Sequence, residues 1–376
     1  MKNRWRIPKY LLSAAILICA AGCASPQSAS QEEAPVQETV PEEETAAIPA
    51  EETVPDKSIP ETEKFEISQK METGGMGFEG EILPYSEGEP DYSKCDDSIK
   101  EMPLLMKDIS FEGGYPKRVD TSQMDSVLGQ LAALFHEHVL SREESYFPNG
   151  GIESINVKTE TMTISMDSQE TAVYFFNEPK VIDSSYSLDP ESNAAEATAT
   201  MKYLMEYFGD VISFKQAEYA PYEAFTYDGN IIVSYYTYEG AGSGVDRRLA
   251  VLFDRVQFGG TGNNVDMLRI FAKPDYIKDL GNFPIIPVKD AVGLYKKGIF
   301  RSTYKGNLTD HIVSGELLYY ETLYEKMIMP YYRFLIELPA DEYPAKEGFI
   351  NTAAVWVPAL DPSYYVFETD NTMPFN

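Results

Sequence analysis

The sequence predicts an α+β fold: antiparallel sheets with a few packed helices, in two or three modules that each run from a helix into strands. Three observations predict it. Segments whose apolar residues recur at three- and four-residue steps are few. Between them lie many short runs rich in valine, isoleucine, threonine and tyrosine, some in strict alternation. A helix followed by strands recurs about three times, starting near residues 121, 190 and 287, without aligned identity between the units. Runs of strands with occasional helices, rather than strict βαβ alternation, point to α+β.

Taken in order, the chain begins with a leader pattern. Lys2, Arg4, Arg6 and Lys9 form a basic start. Tyr10 to Ala21 is an apolar run, too short for a stable bilayer span but suited to the apolar core of a secretory signal. It ends in Ala20-Ala21-Gly22-Cys23. These four residues resemble a bacterial lipobox, in which cleavage precedes a cysteine that receives a diacylglyceryl group. The usual leucine three residues before the cysteine is Ala20 here. The resemblance implies a lipoprotein signal peptide over 1–22, lipidation at Cys23, and attachment to the outside of a Gram-positive cell membrane through that lipid anchor. An ordinary cleaved signal peptide and a retained membrane anchor are the alternatives.

The chain has three cysteines. Cys19 would leave with the leader and Cys23 would be acylated. Cys95 would then stand alone, with no internal disulfide. Roughly 310 residues remain beyond the tether, enough to hold together by apolar cores.

Residues 23–65 read as the lipidated cysteine and a disordered acidic tether. From Ala24 to Lys64 the chain is proline, glutamate, alanine, serine and threonine, with glutamate runs at 32–33, 42–44 and 51–52. Such a segment cannot bury enough apolar surface to offset its ordering entropy. As a flexible coil it would reach roughly 35 Å, and its charge and prolines would extend it further. The formal charge is −29, and loss of the four leader cations takes it to about −33. That balance argues against nucleic acid and anionic lipid as partners.

The expected modules are 66–185, 186–280 and 281–376. Glu66 to Pro116 reads as an irregular arm with one or two short strands. Thr121 to Leu140 is the clearest helix, on Met124, Val127, Leu128, Leu131, Leu134, Phe135 and Val139, with Ser122 and Asp125 resembling a capping box. Strands follow at 152–158, 162–166 and 172–176. Asp189-Pro190-Glu191 opens a second helix, with Ala197, Met201, Leu204, Met205 and Phe208 as its stripe and Gly209 beyond its end. Strands at 231–238 and 249–258 flank a hairpin loop over Glu239–Gly244, and 265–272 is the next. Pro287 leads a helix to Gly298, before strands at 312–320, 331–338 and 352–360.

The last hundred residues carry a resemblance. Gly281-Asn282-Phe283-Pro284-Ile285-Ile286-Pro287-Val288-Lys289-Asp290-Ala291 leads to Gly298. Glu316-Leu317-Leu318-Tyr319-Tyr320, Met329-Pro330-Tyr331-Tyr332-Arg333-Phe334 and Val355-Trp356-Val357-Pro358-Ala359 follow. This stretch is similar to a family of uncharacterised Firmicutes lipoproteins. Its plan also resembles PepSY-like modules and the extracytoplasmic regulators of a cell-wall histidine kinase. Those regulators use a transmembrane helix where this chain has a lipobox, and no catalytic residue carries over from them. The resemblance implies a regulatory or binding role in the envelope.

The residues themselves offer little chemistry. His136 and His138 stand two apart on a helix, which puts them on different faces, and His311 is remote. No metal site, cofactor or catalytic residue is expected. The glycine runs at 240–244 and 259–262 lack a following Lys-Ser/Thr or helix, so neither reads as a phosphate cradle. Ser302-Thr303-Tyr304-Lys305 matches S-x-x-K without its companion motifs. Cys95 lies beside Asp96 and Asp97, which would raise its pKa. Among sixty acids a glycosidase pair cannot be picked out. Tyrosine is in excess, at 26. Adjacent strand residues face opposite sides, so one of each pair Tyr235-Tyr236, Tyr319-Tyr320 and Tyr331-Tyr332 is expected in the core and the other exposed. Tyr319, Tyr320, Tyr331, Tyr332 and Trp356 form a candidate ligand groove for peptide or glycan. The function expected is a membrane-anchored, non-enzymatic binding or regulatory module with an envelope protein, peptide or glycan as partner. An envelope hydrolase with paired carboxylates and a solute-capture lipoprotein are the alternatives.

Overall fold

The computed structural model describes residues 64–69, 71, 78–169, 171–189, 194–212, 214, 216–225, 231–240, 244–322 and 324–368. The leader, Cys23 and the tether up to residue 63 lie outside them.

The elements begin with six short strands: β1 (Phe65–Ser68), β2 (Ile82–Pro84), β3 (Asp91–Lys94), β4 (Glu101–Lys107), β5 (Phe111–Glu112) and β6 (Tyr115–Pro116). Then come α1 (Ser122–Leu134), β7 (Ser141–Tyr146), β8 (Ile152–Lys158), β9 (Met162–Asp167), β10 (Ala172–Val181) and α2 (Ala194–Tyr207). The chain continues through β11 (Ala217–Phe225), β12 (Ile231–Glu239), α3 (Gly244–Phe253), β13 (Arg255–Thr261), β14 (Asn264–Phe271) and β15 (Ile277–Pro284). It closes with α4 (Val288–Lys296), β16 (Ile312–Tyr320), β17 (Met327–Glu337), β18 (Phe349–Pro358), a 3₁₀ turn (Pro362–Tyr364) and β19 (Tyr365–Glu368). The fold is α+β, with four helices among the described residues and mostly antiparallel pairing.

Two sheets carry it. An eight-stranded antiparallel sheet has the order β11-β12-β13-β14-β10-β9-β8-β7. A seven-stranded sheet runs β15-β4-β17-β16-β3, with β18 also on β17 and β2 on β18. β3 joins β16 in parallel, and β1 joins β19 in parallel, so the strand that follows the tether lies beside the last described strand.

Each sheet builds one core. Period-2 alternation in β9 turns Met162, Ile164 and Met166 inward and leaves Thr163, Ser165 and Asp167 on the other face. Met124 and Leu128 of α1 and Ala197, Met201 and Leu204 of α2 complete that core. The second core gathers Met102, Leu104 and Leu105 of β4 with β16, β17, β18 and α4, and takes in Phe253 at the end of α3.

The cores do not follow boundaries at 185/186 and 280/281. β10 pairs with β14 across the first, and β15 straddles the second. One core spans residues 124–268, and the other joins residues 67–105 to 277–365 around it. The N-terminal stretch is likewise more than an irregular arm. Its β4 lies between β15 and β17, partners from the far end of the chain that supply its hydrogen bonds.

Local expectations fare better. Strands 152–158 and 312–320 have the expected bounds, and α4 follows Pro287 and ends before Gly298, which takes φ +79°. α1 stops at Leu134: Phe135 caps it, His136 turns to φ +59°, and Leu140 N already donates to Lys158 O. Val139 and Leu140 are therefore exposed. The expected capping box is absent. Asp120 accepts from Ser122 N at 2.9 Å, and Asp125 accepts from Thr121 Oγ1 at 2.8 Å. The opening residues of α2, 190–193, lie outside the described residues. The expected strand over 249–258 is half helix. Val245, Leu249, Leu252 and Phe253 step along one face of α3 and pack on the second core. β12 and β13 still pair antiparallel, but α3 rather than a tight loop joins them.

Asp167 closes β9 and gives a pH-dependent prediction. Its Oδ1 accepts from Gln169 N at 2.9 Å and Thr171 N at 3.0 Å. Burial pushes its carboxyl up to about 6, against the opposing pull of those amides and of Arg269. A carboxyl raised in the folded state contributes stability that is full below its ordinary pKa of 3.8 and is lost as pH rises through about 6. Asp167→Asn keeps the acceptor and removes the charge. Its Tm relative to the parent chain should be higher at pH 7.5 than at pH 4.5; an equal offset at both would show that Asp167 does not titrate this way.

Candidate functional site: a cleft over the C-terminal sheet

β17 reads Met-Ile-Met-Pro-Tyr-Tyr-Arg-Phe-Leu-Ile-Glu, a nearly continuous apolar run interrupted by one arginine. Such a strand is covered on both faces. Alternation does send Tyr331 and Tyr332 to opposite sides, yet both are only 1% exposed. Tyr319, Tyr320 and Trp356 are also buried, as are Tyr235 and Tyr236. The expected split into one core and one exposed tyrosine is thus corrected, and the five groove residues do not form an open groove. On one face the hydroxyl of Tyr332 donates to Ile286 O at 2.7 Å and that of Tyr319 to Pro103 O at 2.8 Å. On the other, Tyr320, Tyr331 and Trp356 cluster, with the Tyr320 and Trp356 rings 5.0 Å apart. The Arg301 guanidinium lies 5.0 Å from the Tyr320 ring and pairs with Glu325. Burial raises the Tyr331 hydroxyl to about 12 and drives that of Tyr320 higher still. These tyrosines are core.

The arginine within that strand organises the polar part. Arg333 Nε donates to Glu79 Oε1 at 2.9 Å. Its Nη1 donates to Glu81 Oε1 at 2.7 Å and to Glu316 Oε1 at 2.9 Å. Glu79 Oε2 also accepts from Trp356 Nε1 at 2.8 Å. Burial is the largest single influence on Arg333 and pulls it down, but the three carboxylates together outweigh it and raise the guanidinium well above its ordinary value. A buried cation must be paired. That was the signal in the sequence, an arginine within an apolar strand, but its partners come from β16 and from the segment before β2.

Beside this cluster a cleft of about 430 Å³ opens between β2, the 84–91 segment and the start of β16. Leu83, Pro84, Ile312, Leu335 and Ile350 supply its apolar lining. Glu81, Glu89, Asp91 and Glu316 supply carboxylates, against Lys94, Arg333 and His311. A hydrogen bond from Ser93 N holds the Asp91 carboxyl below its ordinary value, with Lys94 adding to the effect.

The other residues singled out lie apart. Ser302 Oγ donates to Ala354 O at 2.7 Å and accepts from Tyr304 N at 3.1 Å, while Lys305 Nζ reaches only the carbonyl of Ser302. His136 and His138 follow α1, and His311 pairs with Glu337; among the described residues no three His, Cys, Asp or Glu side chains gather as a metal set. Cys95 is buried, and its thiol is pushed up to about 12 by burial first and Asp97 next. The glycines at 259–260 form a bulge in β13. Contrary to expectation, the 240–244 loop does lead into a helix, α3; residues 241–243 lie outside the described residues.

No protein-family model matches the chain, and no curated protein matches it. Among solved structures, it is similar to an uncharacterized protein from Eubacterium rectale ATCC 33656. That similarity has a TM-score of 0.35 and 9% identity, over 72% of this chain and 86% of that one.

Proposed function

We propose that the chain is a lipoprotein anchored by lipid to the outside of a Gram-positive cell membrane, acting as a non-enzymatic binding or regulatory module of the cell envelope. The observation that carries the reading is the order of its first segments. A basic start and a short apolar run end in Ala-Ala-Gly-Cys23, acidic proline-rich residues follow, and the fold begins at β1. A diacylglyceryl cysteine with a further acyl chain buries many CH₂ groups at roughly 0.8 kcal/mol each, enough for stable anchoring. The resemblance of the C-terminal hundred residues to PepSY-like modules supports the regulatory side. So does the bonding of the reactive-looking groups: the Ser302 hydroxyl is spent on backbone, and Arg333 on three carboxylates. The acidic balance directs the module toward protein, peptide or glycan rather than nucleic acid.

The test is metabolic labelling with an alkyne fatty acid in the native host or a Gram-positive one. The parent chain should carry the label and sediment with membranes, and Cys23→Ser should lose both. Label retained by the variant, or absent from the parent, overturns the anchor.

A further inference from the structure

We propose that the cleft between β2, the 84–91 segment and β16 binds the basic side chain of a peptide: an ammonium or guanidinium on an aliphatic stem. The proposal rests on reading the folded part as a binding module and names the chemistry of what it holds.

The cleft is of the size that takes a small ligand or one long side chain with its flanking backbone. Its lining divides by chemistry. Leu335, Ile350 and Leu83 offer a surface for methylenes, while the carboxylates of Glu81, Glu89, Asp91 and Glu316 outnumber the cations of Lys94 and Arg333. Arg333 already gives its Nε and Nη1 to Glu79, Glu81 and Glu316, so three carboxylates offset its single charge. The same bonds leave acceptors over. Glu81 and Glu316 each give Oε1 to Arg333, and among the described residues the Oε2 of neither accepts a hydrogen bond. Glu316 is only 8% exposed, yet its spare oxygen still meets solvent and so stands open to a donor from the cleft. An open cleft with excess negative charge concentrates cations, and a donor at Glu316 would complete that carboxylate.

The backbone of β16 points to a peptide rather than a free amine. Its pairing with β17 steps from Ile312↔Ile336 to Ser314↔Leu335, so Val313 is bulged out of register, and Val313 lines the cleft. β3 pairs with β16 at Ser314 and Glu316 but not at Val313. A peptide backbone can pair at this bulge while its basic side chain runs over Leu335 toward Glu316.

The test is titration calorimetry on the full chain with acetyl-Leu-Lys-Leu-amide, its norleucine analogue and cadaverine. The lysine peptide should bind one to one, with both other probes about tenfold weaker or worse. Glu89→Gln with Asp91→Asn, which keeps the acceptor for Ser93 N, should weaken the lysine peptide about fivefold without a change in Tm. No heat from the lysine peptide at millimolar concentration, equal binding of the norleucine peptide, or binding indifferent to the double variant would overturn the proposal. Cadaverine equal to the peptide would overturn the peptide assignment and make the site one for free amines. The titration does not depend on the lipid. Its failure beside intact acyl labelling would sink the cleft alone, and lost labelling beside intact titration would sink the anchor alone.

Discussion

Arg333→Met should lower stability by about 3–5 kcal/mol, the cost of removing one partner from a buried ion cluster. At this chain length that corresponds to a Tm drop of about 10 °C. The Arg333 side chain is 5% exposed and ties β17 to groups from the segment before β2 and from β16. Without it three carboxylates face one another in a largely covered site with no arginine between them. Glu316→Gln in the same chain should recover part of the loss, because it removes one of the repelling charges. Arg333→Lys should recover less than half, since a single ammonium cannot reproduce the planar fork that reaches Glu79 on one side and Glu81 and Glu316 on the other. Chemical denaturation of the four chains is the measurement. Arg333→Met within about 1 kcal/mol of the parent would mean the cluster is dispensable.

The second large effect is expected at Gly80. A Cβ there would sit 1.9 Å from Thr352 O and 2.9 Å from Thr352 C, both backbone atoms that cannot swing aside. The close approach exists because the arm is laid along β18. Ala354 N donates to Glu79 O at 2.8 Å and Thr352 N to Glu81 O at 2.9 Å, with the Thr352 hydroxyl donating to Glu81 O at 2.8 Å. Gly80→Ala must lift the arm and draw Glu79 and Glu81 away from Arg333. Overpacking of about 1–3 kcal/mol then adds to a damaged ion cluster, for a loss of about 3 kcal/mol or more. Because both changes break the same cluster, Gly80→Ala and Arg333→Met together should cost clearly less than their sum. Full additivity in that cycle would show that the arm and the arginine act independently.

Both predictions depend on Glu79, Gly80, Glu81, Glu316 and Arg333, and no spacing in the sequence links them. What was legible was local. The alternation of Met162, Ile164 and Met166 gave β9 its buried face, and the proline and glycine around 287–298 bounded α4. The apolar residues of α1, recurring at three- and four-residue steps, placed a helix, although only the fold set its end, where Leu140 N donates to Lys158 O. The segment after Gly244 misled because its apolar residues fit either period over so short a run, and packing against the second core decided for a helix.

By itself, the sequence determined the α+β class, the places of α1, α2 and α4, and strands such as β8, β9 and β16, because each depends on neighbours a few residues apart; β7, β11, β15 and β19 it left unread. Only the tertiary structure decided which strands meet. It set β4 between β15 and β17, closed both faces over Tyr319, Tyr320, Tyr331, Tyr332 and Trp356, and brought Glu79 and Glu81 onto Arg333. Strand alternation tells which two sides a pair of tyrosines will face. Whether a side is covered depends on chain that arrives from hundreds of residues away, and that information is carried by packing rather than by period.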